Sequence, residues 1–170
     1  MFLVQSMVRK YMENPRSVML TVIPSNVDIA TQEILEIAAE FDPEGRRTLG
    51  VLTKPDLVDH GAESAVVDLI EGHVHAIRLG WHLVRNPGQN QLANENIDRD
   101  ALEAAFFRDT PPWKSLDRER VGIGALRRRL RDVLSDLVRH EFPHVSSPAQ
   151  SLSESKLMKY SRCGRRSPAS

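Results

Sequence analysis

The sequence predicts an α/β protein built on a three-layer, mostly parallel sheet, from two observations. Short β-branched, apolar runs recur at 17–23 (Ser-Val-Met-Leu-Thr-Val-Ile), 48–52 (Thr-Leu-Gly-Val-Leu) and 81–84 (Trp-His-Leu-Val). Stretches with helical apolar spacing separate them. Near-continuous apolar character marks strands covered on both faces, as parallel strands are. The order strand–helix–strand–helix–strand is that of right-handed βαβ units in an open sheet.

Each element has a local reason. The first run stops at Pro24, the second ahead of Pro55 and the third at Asn86-Pro87-Gly88, residues that end ladders or turn the chain. Ile29, Glu33, Ile34, Ile37, Ala38 and Phe41 carry a stripe expected to start near the capping residue Asp28 and to end at Asp42-Pro43-Glu44-Gly45. Val66, Leu69, Ile70, His73 and Ile77 repeat the pattern. After a loop at 85–99, a helix is expected near 100–108, then the turn Thr110-Pro111-Pro112 and a long helix over 123–141. In that helix Ile123, Leu126, Leu130, Val133 and Leu137 follow at spacings of 3, 4, 3 and 4, widened by Leu134 and Val138. Such a heptad seam calls for partner helices. Arg127, Arg128, Arg129 and Arg131 lie off the seam and read as a solvated face.

Length and charge narrow the function classes. The 170 residues suit one domain of ordinary size, and 23 Lys and Arg balance 23 Asp and Glu. That neutrality removes the main argument for a nucleic-acid partner. The single Cys163 excludes an internal disulfide framework and fits a reducing compartment, so a cytoplasmic location is expected. No apolar run approaches the ~20 residues of a membrane span. The opening Met-Phe-Leu-Val is interrupted by Gln5 and Ser6 and lacks the apolar core of a signal peptide. The neutral total hides a tail, residues 146–170, with eight serines and a net charge of +4. Its few apolar residues predict disorder, with at most a short helix around 152–160. Six histidines are present, but His73 and His75 lie two apart and face different ways on a helix, so no metal site is expected.

Ligands of open parallel sheets sit beyond the carboxyl ends of the strands. Three loops qualify: 24–28, 53–59 and 84–89. Thr53-Lys54-Pro55-Asp56 is the informative one. A carboxylate just past a buried strand has two acceptor oxygens side by side, and guanine presents two adjacent donors that adenine lacks. Lys54 would lay its stem over the base, Thr53 would brace the neighbouring loop, and Asn86, Gly88 and Gln89 would come in from the next strand end. Lys-Pro-Asp by itself also suits a plain turn in which Asp bonds its own backbone.

The chain resembles the GTPase domain of the dynamin superfamily, in particular its fungal dynamin-like and Mx-like members. The residues that carry the resemblance are Tyr-Met-Glu-Asn-Pro-Arg-Ser at 11–17, Ser25-Asn26-x-Asp28-x-Ala30, the run from Phe41 to Asp56, and Gly80-Trp81-His82-Leu83-Val84-Arg85-Asn86. The resemblance implies that Thr53, Lys54, Pro55 and Asp56 recognise guanine and that Asp59 belongs to the same stretch. It implies that Asn86 to Gln89 close over base and ribose, and that Asp28 reaches across a dimer of GTPase domains. It further implies GTP as ligand, with magnesium in the intact domain. The fold becomes part of a P-loop GTPase sheet over 1–122, followed by a bundle helix over 123–145 and the tail.

Pro87 stands where the family commonly has a basic residue, which removes a donor and a cation and weakens base binding. No G-x-x-x-x-G-K-[ST] motif occurs, and the family's switch threonine and Asp-Leu-Pro-Gly are missing too. The chain starts just downstream of where they should lie. Weak guanine-nucleotide binding and no GTP hydrolysis by the chain alone are therefore expected, with self-association or association with a full-length dynamin-like protein. Membranes or microtubules enter only by family analogy. The alternative is a non-catalytic interaction module or truncated gene product docking through its helix seam.

Overall fold

The computed structural model describes residues 2–29, 32–88, 91 and 98–141. The expected tail at 146–170, and Gln89 and Ala30, lie outside the described residues. The chain divides into two units, Met1–Arg131 and Asp132–Ser170.

In the first unit, all three apolar runs become strands: β1 (Met19–Pro24), β2 (Thr48–Thr53) and β3 (Trp81–Val84). They form one parallel sheet in the order β1-β2-β3, with Met19 opposite Thr48 and Gly50 opposite Trp81. An N-terminal helix α1 (Phe2–Met12) precedes them, for which the sequence reading had no element. The crossovers carry α2 (Glu33–Phe41) and α3 (Glu63–Glu71), and after β3 come α4 (Arg99–Asp109) and α5 (Ile123–Glu141). Asp98 caps α4 by accepting from the Ala101 N–H at 3.1 Å.

Side chains on the sheet alternate between two cores. Ile23, Leu52, Trp81 and Leu83 pack with Val66, Leu69 and Ile70 of α3 and Phe107 of α4. Leu49, Val51 and Val84 pack on the other face with Leu126 of α5. This is the three-layer arrangement that period and order predicted.

Four expectations about the helices need correction. The second helix starts at Glu33, not at Asp28, whose carbonyl accepts a bond from Gln32 Nε2 at 3.2 Å in a turn. The third stops at Glu71, because Gly72 adopts φ 85° and its N–H bonds back to the Leu69 carbonyl at 3.1 Å; His73 and Ile77 lie beyond it. The start of the α5 seam does not call on a partner helix, since Ile123, Leu126 and Leu130 pack on the sheet. Arg129 is not wholly solvated: its Nε and Nη2 donate to the Leu79 carbonyl at 3.3 and 3.1 Å.

β1 departs from the expectation of two covered faces. Leu20 and Val22 are 40% and 51% exposed, and β1 pairs on one side only among the described residues. An apolar, open edge strand templates pairing with other chains. The chain is expected to aggregate when produced alone, and Val22→Lys to raise its monomer fraction in size-exclusion chromatography; an unchanged elution profile would show that this edge is not the sticky surface.

Polar groups bind the connections together. Asp42 accepts from the Arg46 and Arg47 N–H groups at 3.0 and 2.9 Å and from the Thr48 hydroxyl at 2.6 Å. Burial pushes its carboxyl up, but these donors and the Arg47 charge outweigh that and hold it below the usual carboxylate range. The Arg47 guanidinium donates to the carbonyls of Met12, Asn14, Ser17 and Phe41, fastening the ends of α1 and α2 to the start of β2.

His82 is 4% exposed, and its Nδ1 has no hydrogen-bond partner. Burial first, then the charges of Arg129 and Arg120, push it down to about 4. The unfolded chain therefore takes up a proton near pH 6.5 that the folded chain refuses until about pH 4, so stability falls as pH drops through that window. Denaturant titrations should show a loss of about 3 kcal/mol between neutral pH and the foot of this window, absent in His82→Gln. The loss from Asp42 sets in lower, below its ordinary 3.8.

Candidate functional site

The site grows from the carboxyl ends of β2 and β3, where Thr53 pairs with Val84. Thr53 closes β2: its hydroxyl donates to the Ile23 carbonyl at 3.4 Å, and its own carbonyl accepts the Ser25 N–H at 2.7 Å. The expected bracing thus runs to the end of β1 and the loop that follows it. Lys54 then takes a left-handed conformation, φ 57° and ψ 49°, which is uncommon for a residue with a side chain and concentrates at functional positions. Buried Pro55 opens a single 3₁₀ turn, Pro55–Leu57, and Asp56 and Lys54 stand exposed on it.

Among the described residues the Asp56 carboxylate makes no hydrogen bond within its own turn. It faces Arg85, with Oδ2 3.9 Å from Nε. Arg85 is itself tightly held. Its guanidinium lies 4.9 Å over the Phe106 ring, its Nη2 donates to Gln91 Oε1 at 3.3 Å, and its N–H donates to Glu103 Oε1 at 2.8 Å. Its buried Nε has no hydrogen-bond partner. The other oxygen of Glu103 accepts the Ile123 N–H at 2.7 Å. One buried carboxylate, 6% exposed, therefore joins the end of β3 to the first turn of α5.

Asn86 and Gly88 are exposed beyond β3, and the Gly88 N–H donates to Gln91 Oε1 at 3.2 Å. A Cβ added at Gly88 would meet open space, so any need for glycine there comes from outside this chain's own packing. Asp59 is exposed and its carbonyl accepts the Ala62 N–H at 3.0 Å at the entry to α3. Asp28 is exposed in the loop after β1.

Thr53, Lys54, Pro55, Asp56, Asn86 and Gly88 thus share one rim of the sheet. Asp28 and Asp59 instead line a separate cavity of about 320 Å³ between the 24–29 loop and α3, which Asp56 and Asn86 do not line. Sequence reasoning missed Glu103 and gave Arg85 no role. The signal for Glu103 was present: it shares the buried face of α4 with Phe107, four residues on.

Comparison with known proteins identifies the family. A family model described as the dynamin central region matches residues 65–170, and one described as the dynamin family matches residues 4–55. The chain belongs to the dynamin family. Its dynamin relatives include the interferon-induced GTP-binding protein Mx1 of Equus caballus, 38% identical over 92% of this chain and 25% of that protein. The interferon-induced GTP-binding protein Mx2 of Sus scrofa is 34% identical over 98% of the chain and 24% of its own length. The interferon-induced GTP-binding protein MxA of Danio rerio is 38% identical over 81% and 21%. The chain spans about a quarter of the length of the curated dynamin-family relatives it matches.

No helix among the described residues is long and apolar enough to cross a membrane. No group of three or more His, Cys, Asp or Glu among them is arranged to hold a metal ion, and the sequence carries no Gly-rich loop with its Lys and Ser or Thr.

Proposed function

We propose that the chain carries the guanine-recognition half of a dynamin-type GTPase domain over residues 1–122, with 123–145 opening a bundle or stalk and 146–170 a tail. It works in the cytoplasm and does not hydrolyse GTP alone. The observation that carries this reading is the outward-facing Asp56 carboxylate, unbonded to its own turn, at the end of β2 beside Arg85 and Asn86 at the end of β3. Two oxygens held there match the paired ring N–H and amine of guanine. With adenine they would be left without donors, at a cost of about 1–3 kcal/mol. Lys54 covers the base plane, and Asn86, Gly88 and Gln89 approach from the second loop. Asp59 lies in the same stretch, and Asp28 serves contact with a second GTPase domain. The relatives' printed names, GTP-binding proteins, support the ligand class.

The test is a calorimetric titration with guanosine, adenosine and xanthosine diphosphates. Weak binding is expected, with guanosine favoured over adenosine about tenfold or more. Asp56→Ala should erase that preference, and Asp56→Asn should transfer it to xanthosine, whose carbonyl replaces the guanine amine. Phosphate release from GTP should stay at background with the chain alone. Micromolar GTP binding with magnesium, or equal binding of all three bases, would overturn the reading. A second reading has one observation behind it: Leu134 and Val138 of α5 are 50% and 54% exposed. It makes the chain a non-catalytic module that docks through that helix.

A further inference from the structure

We infer that the cavity between the loop after β1 and helix α3 is a binding site for a small, uncharged ring compound bearing one hydroxyl or amine. The cavity holds about 320 Å³, within the range of ligand pockets. Its walls are apolar: Ile23 and Leu52 from the strand ends, Val58 from the following loop, and Val66 and Leu69 from α3.

Ser25 is the one buried polar residue of that lining; Asn26, Asp28 and Asp59, all exposed, also contribute to it. Ser25 is 8% exposed, and its hydroxyl is one of three buried side-chain polar atoms without a hydrogen-bond partner among the described residues. The other two, on His82 and Arg85, belong to residues that do not line this cavity. The Ser25 N–H is already committed to the Thr53 carbonyl at 2.7 Å, so the hydroxyl is the unmet group. Buried hydroxyls are almost always bonded. A single water would satisfy Ser25, but next to it the walls are the aliphatic side chains of Ile23, Leu52, Val66 and Leu69, which offer further waters no partners. A ring that fills the apolar space and turns one donor or acceptor toward Ser25 satisfies both requirements. Exposed Asp28 and Asp59 also line the cavity, and their carboxylates disfavour an anion. The site is separate from the base rim, because Asp56 and Asn86 do not line it.

The test uses the full chain with phenol and toluene as probes, followed by amide chemical shifts in two-dimensional nuclear magnetic resonance. Phenol should shift amides within 24–29 and 58–69 saturably and bind about tenfold more tightly than toluene. Ser25→Ala should remove that difference while leaving toluene binding unchanged. Ala65→Phe, on the exposed face of α3, should block both probes without lowering the melting temperature, and Ala62→Leu gives an independent block. Asp56→Ala should leave phenol binding intact, which separates this site from nucleotide recognition. No saturable shift, equal affinity for the two probes, or binding that survives both blocking substitutions would overturn the inference.

Discussion

Gly50→Ala is expected to lower the unfolding free energy by about 3 kcal/mol or more. Gly50 sits mid-way along β2, buried, directly opposite Trp81 on β3. A Cβ there would lie 2.1 Å from Trp81 Cε3, 2.4 Å from Cδ2 and 2.6 Å from Cζ3. No rotamer of alanine avoids that overlap, so the indole must move. It has nowhere to go: Trp81 is 1% exposed, and its Nε1–H donates to the His75 carbonyl at 2.9 Å. Swinging the ring away would leave that donor unmet as well as displace the core around Ile70 and Leu83. Urea unfolding followed by circular dichroism measures the loss. Adding Trp81→Leu should make the pair strongly non-additive, because the smaller side chain accepts the methyl. A Gly50→Ala chain as stable as the parent would show that the indole repacks freely.

Glu103→Ala is expected to cost a comparable ~3 kcal/mol, and this one reaches function. The substitution leaves two backbone donors, the N–H groups of Arg85 and Ile123, without their carboxylate. Glu103→Gln should fall between, since one oxygen remains and an amide N–H₂ meets the other donor. Because Arg85 neighbours Asn86, the loop that follows β3 should loosen in step. Hydrogen exchange at the Arg85 and Ile123 amides should accelerate about 100-fold, ahead of the rest of β3. Unchanged protection at both amides would mean that these groups find other partners, and the stapling role would be lost.

The rim at the ends of β2 and β3 illustrates how far local chemistry goes. Thr53 to Asp56 were legible because a buried run, a proline and a carboxylate follow one another in four residues, and the 3₁₀ turn that results presents Asp56 outward. What orients that carboxylate was not legible. Arg85 reaches Asp56 only because β2 and β3 are neighbours, and Arg85 is held by Phe106, Gln91 and Glu103, which lie 6 to 21 positions further along the chain. Gly72 shows the reverse: apolar spacing predicts a helix on to Ile77, whereas a left-handed glycine ends α3 five residues earlier.

Periodicity and the placement of Pro and Gly act over a few residues, so the three strands, their parallel class and the full extent of α5 could be read from the chain as a string of letters. Which faces those elements cover could not, because burial is a property of pairs distant in sequence. Packing left β1 covered on one face only. It set the opening of the α5 stripe against Leu49, Val51 and Val84, and it gathered Arg85, Glu103 and Ile123 around one carboxylate. A stripe of leucines states that a face must be covered; only the assembled layers choose by what.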